Sequence, residues 1–246
     1  MDMDLKNKFL ALYPKYFNDS PLPLTFFFTN GEAGAKLMAP ESHNCLIDAL
    51  SLARAGKPLR LNGESITCKG GNRYMGFSQE LRPNFEQFLS GVERLKKTPE
   101  LVREMLRRSS KFEAPARFIV FKRWDLLGAS DSPEVVFFFA TADVIAGLFT
   151  LANYDEGASD GVFTPMGSGC SSVILNPLLE ARSSHPRCII GMFDTTARPY
   201  VPKDVLTFAA PIARFATMVE NMESSFLTTK TWAKIQERIG SGIKVP

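Results

Sequence analysis

Glu134-Val135-Val136-Phe137-Phe138-Phe139-Ala140-Thr141 is the stretch on which the fold turns. Its five large apolar residues run without polar alternation. A strand with one face in water alternates apolar and polar residues, so a continuous run such as Val135 to Phe139 predicts a strand covered on both faces. A helical stripe follows at once through Val144, Ile145, Leu148, Phe149 and Ala152. The same grammar returns in Asp204-Val205-Leu206-Thr207-Phe208-Ala209-Ala210-Pro211, followed by a helix through Phe215, Met218, Val219 and Met222. Together they read as a weak internal repeat of strand, short turn and helix.

Outward from this pair, Arg117-Phe118-Ile119-Val120-Phe121 and Arg187-Cys188-Ile189-Ile190-Gly191-Met192 read as further strands. Trp232, Ile235 and Ile239 mark a closing amphipathic helix that Gly240 stops. Upstream, Leu5, Phe9, Leu12 and Tyr13 share a helical face that Pro14 is expected to end. Leu22 to Phe28 reads as a strand closed by the turn signal Asn30-Gly31. A helix carries Cys45, Ile47, Leu50, Leu52 and Ala53, with Gly56-Lys57-Pro58 as its stop, and Leu59 to Glu64 suggests a short hairpin. One apolar stripe runs through Phe85, Phe88, Leu89, Val92 and Leu95. A second runs through Leu101, Val102, Met105 and Leu106, with Thr98 as N-cap and Pro99 at the first helical position.

Strands interleave with helices, but the loops between them are irregular and too long for simple crossovers. This pattern implies one mixed α+β domain over residues 1–246, rather than a doubly wound fold. Its N-terminal portion, about residues 1–112, is expected to pack on a C-terminal β/α portion, about residues 113–246.

Composition narrows the function classes. The chain has 246 residues, 45% hydrophobic and 22% charged, as in an ordinary globular protein with a substantial core. A net charge of +3 gives no argument for nucleic acid, and no nucleic-acid-binding motif is present. The acidic start Met1-Asp2-Met3-Asp4 does not read as a signal peptide, and no stretch approaches the length of a membrane span. Four cysteines are too few for a disulfide scaffold, so reduced thiols in the cytoplasm are expected.

The cysteines carry the functional signal. Cys68 stands in Thr67-Cys68-Lys69-Gly70-Gly71-Asn72-Arg73-Tyr74-Met75-Gly76-Phe77. Gly70, Gly71 and Gly76 permit positive φ and close approach of a ligand, while Lys69 and Arg73 would favour thiolate or an anion. No Gly-Lys-Ser/Thr follows, so this is not a P-loop. Equally, the segment suits a tight turn holding a small apolar thiol. In Pro165-Met166-Gly167-Ser168-Gly169-Cys170-Ser171-Ser172, a glycine-flanked cysteine leads toward a helix, where backbone N–H groups could depress its pKa or cradle an anion. A plain flexible loop fits that composition too. Cys45 closes Glu41-Ser42-His43-Asn44-Cys45, where His43 and Cys45 could face one site or simply mark a helix entrance. Cys188 lies in an apolar run and reads as a small hydrophobe, and His185 sits in a surface-turn composition. Met192 stands where the Cys188 strand runs out. The chain has no CxxC or HExxH motif and no persuasive carboxylate pair.

In their order, these pieces resemble the uncharacterised family called domain of unknown function 169, also labelled ArCR-like. The resemblance rests on Cys45-Leu46-Ile47-Asp48-Ala49, Cys68-Lys69-Gly70-Gly71 with Gly76-Phe77, Gly169-Cys170-Ser171-Ser172, and Ile190-Gly191-Met192 before Ala197-Arg198-Pro199. It covers most of the chain from about Leu24 onward. The resemblance implies cysteines at the places of Cys45, Cys68 and Cys170, and usually another where this chain has Met192. It implies no particular reaction.

The expectation is therefore a site lined by Cys45, Cys68, Gly70, Gly71, Gly169, Cys170 and Met192. The three thiols Cys45, Cys68 and Cys170 would bind a soft metal, an iron–sulfur cluster or a metallo-cofactor. Two alternatives stand beside it. One is a thiol enzyme using Cys68 or Cys170 on a small anionic substrate, and the other is a small-anion-binding protein with structural cysteines. The partner expected is a small molecule or metal, with no nucleic acid and no membrane.

Overall fold

The computed structural model describes residues 1–40 and 45–240. Helix α1 (Met3–Phe17) leads into strand β1 (Leu24–Thr29), the short strand β2 (Lys36–Leu37), helix α2 (Leu46–Arg54), strand β3 (Leu59–Leu61) and helix α3 (Lys69–Met75). A helical excursion follows, with α4 (Phe85–Gln87), a π-helical stretch Phe88–Val92 and α5 (Pro99–Arg108). Strands β4 (Phe118–Arg123) and β5 (Val135–Ala140), helix α6 (Ala142–Leu151) and strand β6 (Val162–Phe163) come next. The remainder is α7 (Asn176–Ala181), β7 (Cys188–Gly191), β8 (Leu206–Pro211), α8 (Ile212–Asn221) and α9 (Lys230–Gly240).

All six residues of β5 are buried, as a run with no polar alternation requires. It lies between β1 and β8 in one mixed sheet of order β2-β3-β4-β1-β5-β8-β7-β6 and is antiparallel to both neighbours. Strands from both ends of the chain thus join through a single sheet, and the architecture is one α+β domain. The internal repeat forms β5–α6 and β8–α8. Its equivalent phenylalanines, Phe138 and Phe208, stand directly opposite each other, with ring centroids 6.4 Å apart.

Alternating residues of the sheet feed two separate cores. Phe27, Val120, Val136, Phe138, Phe208 and Ala210 face α1, α6, α8 and α9. Phe26, Phe121, Val135, Phe137, Ile189 and Ala209 face α2, α3 and α7. Burying each of the Val, Ile and Phe side chains contributes roughly 1.5–3 kcal/mol, so both cores stabilise the fold. No helix among the described residues is long and apolar enough to cross a membrane.

Three local expectations are corrected. Pro14 does not end α1, which runs on to Phe17 because Tyr16 and Phe17 bury against the sheet. Leu59 to Glu64 forms no hairpin. Instead β3 pairs in parallel with β2 and antiparallel with β4, so its partners are distant in sequence. The stripe from Phe85 to Val92 contributes no fully buried residue, and Val92 is 71% exposed, because this excursion packs mainly against α5 rather than on the sheet. Thr98 caps α5 as its sequence implies, accepting the N–H of Leu101 at 3.4 Å.

Candidate functional site

Three helix starts meet on the α2/α3/α7 side of the sheet. Cys45 is the N-cap of α2, with an extended backbone (φ −129, ψ 134). Cys68 is the N-cap of α3, and its Sγ accepts the N–H of Gly71 at 3.4 Å. Cys170 lies in the first helical turn that begins at Gly169 and continues through the π-helical stretch Ser171–Leu175 into α7. Close approaches define how these starts touch. A Cβ placed on Gly71 would lie 3.5 Å from Leu46 Cβ of α2. One placed on Gly169 would lie 3.4 Å from Ile47 Cγ1 of α2, and 2.9 Å from both Met192 Sδ and Ala197 Cβ. Gly169 is therefore needed as glycine, since any side chain there would push into Met192 and Ala197.

The surrounding polar groups fix the Gly169 turn. Asp194 Oδ2 accepts the N–H of Gly169 at 3.1 Å, while its Oδ1 accepts from Thr196 N–H and Oγ1 at 2.9 and 2.7 Å. Ser168 Oγ accepts the N–H of Ser171 at 3.1 Å. These two caps satisfy two of the free N–H groups of the helix start, those of Gly169 and Ser171. Met192 directly follows β7 in the left-handed region at φ 70, a conformation that costs a non-glycine residue energy and is held here by its burial. Its thioether is thereby aimed at Gly169.

Burial pushes the Cys170 thiol well above its ordinary range, and Cys45, Cys68 and Asp194 add to that rise. The Cys45 thiol is also pushed up by burial, with further contributions from Cys68 and Asp48. The N–H groups of Asp48 and Ile47 pull the other way, though neither is close enough to cap α2 through the thiol. Half-buried Tyr74 is raised chiefly by burial, with Ser168 nearby lowering it and Cys170 and Asp194 raising it. Cys45 and Cys68 are partly buried against the same apolar cluster that holds Cys170. All four cysteines of the chain are free.

The structure brings Cys45, Cys68, Gly71, Gly169, Cys170 and Met192 into one neighbourhood, with Gly70 beside the Cys68 sulfur at 3.6 Å from a built Cβ. It corrects the expected glycine loop. Lys69 to Met75 is helical, so Gly70 and Gly71 are not left-handed, and only Gly76, the C-cap of α3, takes positive φ at 83°. Chain that begins with a capped turn needs no loop to aim its thiol. The cations expected to activate Cys68 are engaged elsewhere, Lys69 on Glu80 at 2.6 Å and Arg73 on the Gln79 carbonyl at 3.1 Å. His43 lies outside the described residues. Cys188 is fully buried on the opposite face of the sheet, beside Met218. Among the described residues, no group of three or more His, Cys, Asp or Glu side chains is arranged to hold a metal ion as it stands. Sequence reasoning missed Tyr74, Ser168 and Asp194. Ser168 is legible as an N-cap residue type, but Asp194 carries no local signal because it reaches Gly169 across 25 residues.

A family model described as DUF169, uncharacterised ArCR, matches residues 16–221. The chain belongs to this family. The match spans every residue of the three helix starts and Met192, so the DUF169 region contains the whole neighbourhood. No match to a curated protein or to a solved structure was found.

Proposed function

We propose that Cys45, Cys68 and Cys170 form one site for a soft metal ion, an iron–sulfur cluster or a metallo-cofactor in the reducing environment of the cytoplasm. The observation that carries this reading is the close approach of the three helix starts that bear Cys45, Cys68 and Cys170, all packed against one apolar cluster. Three neighbouring thiolates without a counter-charge would repel one another in a poorly solvated place. A soft cation removes that penalty by displacing the protons, and thiolate is the donor it prefers. Met192 Sδ, aimed at Gly169, adds a weak soft donor at the edge. Since the sulfurs are not set around a single ion, binding draws the helix starts together or uses a cluster large enough to span them.

The thiol-enzyme reading draws less support, because Lys69 and Arg73 are committed to Glu80 and Gln79. Anaerobic purification with iron, zinc and acid-labile sulfide analysis tests the proposal. Stoichiometric metal in the wild-type protein, lost in Cys170→Ala with folding retained, is the expected result. Protein that stays metal-free even after anaerobic reconstitution, with one rapidly alkylated thiol, would replace this reading with the enzyme one.

A further inference from the structure

Helix α2 carries Cys45 at its start and Arg54 at its end, about 13 Å apart at 1.5 Å per residue. At the Arg54 end lies a separate cavity of about 320 Å³, lined by Pro21, Leu22, Arg54, Arg123 and Phe139. Two guanidinium groups share it, and they differ in their company. Arg123 is neutralised: its Nε and one terminal nitrogen grip Asp125 at 2.7 and 2.8 Å, and the other terminal nitrogen donates to the Arg54 carbonyl at 3.4 Å. The Arg54 guanidinium has no carboxylate partner among the described residues and lies 4.7 Å above the centre of the Phe139 ring.

A half-buried cation without a counter-charge is costly, which is why such groups are usually paired. Burial lowers the Arg54 pKa, the direction expected when desolvation goes uncompensated. The carbonyl end of α2 offsets part of this cost, as does the aromatic face of Phe139. Neither offers the planar pair of acceptors that a guanidinium fork matches best. We infer that this cleft binds the carboxylate or phosphate group of a small organic anion, whose apolar body lies against Phe139, Pro21 and Leu22. Its volume falls within the range of small-molecule sites and exceeds the need of a bare ion. Arg54 is the anchor, and Arg123, already paired with Asp125, forms part of the wall.

Amide chemical-shift titration of the full chain tests this with benzoate, phenyl phosphate and neutral benzamide as probes. Saturable shifts at Leu22 and Phe139 with benzoate or phenyl phosphate are expected, and whichever binds more tightly names the headgroup. Arg54→Gln should weaken that binding about ten- to hundredfold, the loss of a charge-assisted contact. Should Arg54→Gln fold poorly, Arg54→Met keeps the stem over Phe139 and gives the same comparison. Three results would overturn the inference: benzamide binding as tightly as both anions, neither anion shifting Leu22 and Phe139, or unchanged anion affinity in a folded Arg54 variant. None of these depends on metal content, so this site and the cysteine site fail independently.

Discussion

Cys170 and Cys188 are both buried thiols, yet they lie on opposite faces of one sheet and in different company. Cys188 faces the α1/α6/α8/α9 core and touches Met218 at 3.9 Å, with Arg214 and Glu180 near enough to act on its acidity in opposite directions. Cys170 faces the other core, where Cys45, Cys68 and Asp194 all act on its acidity. One core thus holds a single thiol, while the other gathers three, with Asp194 close by. Burial raises both thiols, and the groups that converge on each are what set the two apart.

The largest expected effect tests the Cys188 face. Phe9 is fully buried and its ring meets those of Tyr13, Trp124, Phe138 and Phe215 at 4.8 to 6.2 Å. Phe9→Ala should cost about 3–5 kcal/mol in urea unfolding, through lost transfer energy and a residual cavity. The folded variant should keep wild-type metal content. Metal loss in a folded Phe9→Ala protein would show that the two faces are coupled.

A smaller effect separates the two thiols. Cys188→Ala and Cys170→Ala should each cost about 1–2 kcal/mol, as small buried deletions do. Only Cys170→Ala should lose bound metal by elemental analysis. Equal loss in both would erase the distinction between the faces.

The last effect is read in alkali. The Cys188 thiol is pushed by burial from 9.0 up to about 12. Below about pH 9 its proton is held in both states and the stabilisation is complete. Above that, the unfolded chain ionises first, so stability falls as pH rises toward about 12. The slope is about 1.4 kcal/mol per pH unit for each such thiol. Cys188→Ala should flatten the alkaline decline by one thiol's share in pH-dependent chemical denaturation. An unchanged slope would mean that Cys188 is not held protonated by its core.

Much of the fold was legible because its signals are local. The unbroken run Val135 to Phe139 announces a strand covered twice, Thr98-Pro99 a helix start, and the matching strand–helix pieces a repeat. What failed were readings in which distant packing overrides a local rule. Pro14 is tolerated because Tyr16 and Phe17 bury, and Leu59 to Leu61 finds β2 and β4 rather than folding back on itself. The site was legible as a list of residues but not as a shape. Cys68 looked like a loop residue because two glycines follow it, whereas its thiol caps a short helix.

By itself, the sequence determined which residues are sulfur-bearing, which runs are apolar on both sides, and where several helices begin. Those properties depend on residue type and spacing of a few positions. Tertiary structure alone decided that Cys45, Cys68 and Cys170 pack with one core while Cys188 lies in the other, that Asp194 caps the turn at Gly169, and that, among the described residues, Arg54 has no carboxylate partner while Arg123 has one. Each of these is a contact across tens of residues. Contacts of that kind follow from the order of strands in the sheet, and strand order is set by the best joint burial of all the apolar faces rather than by any local stretch.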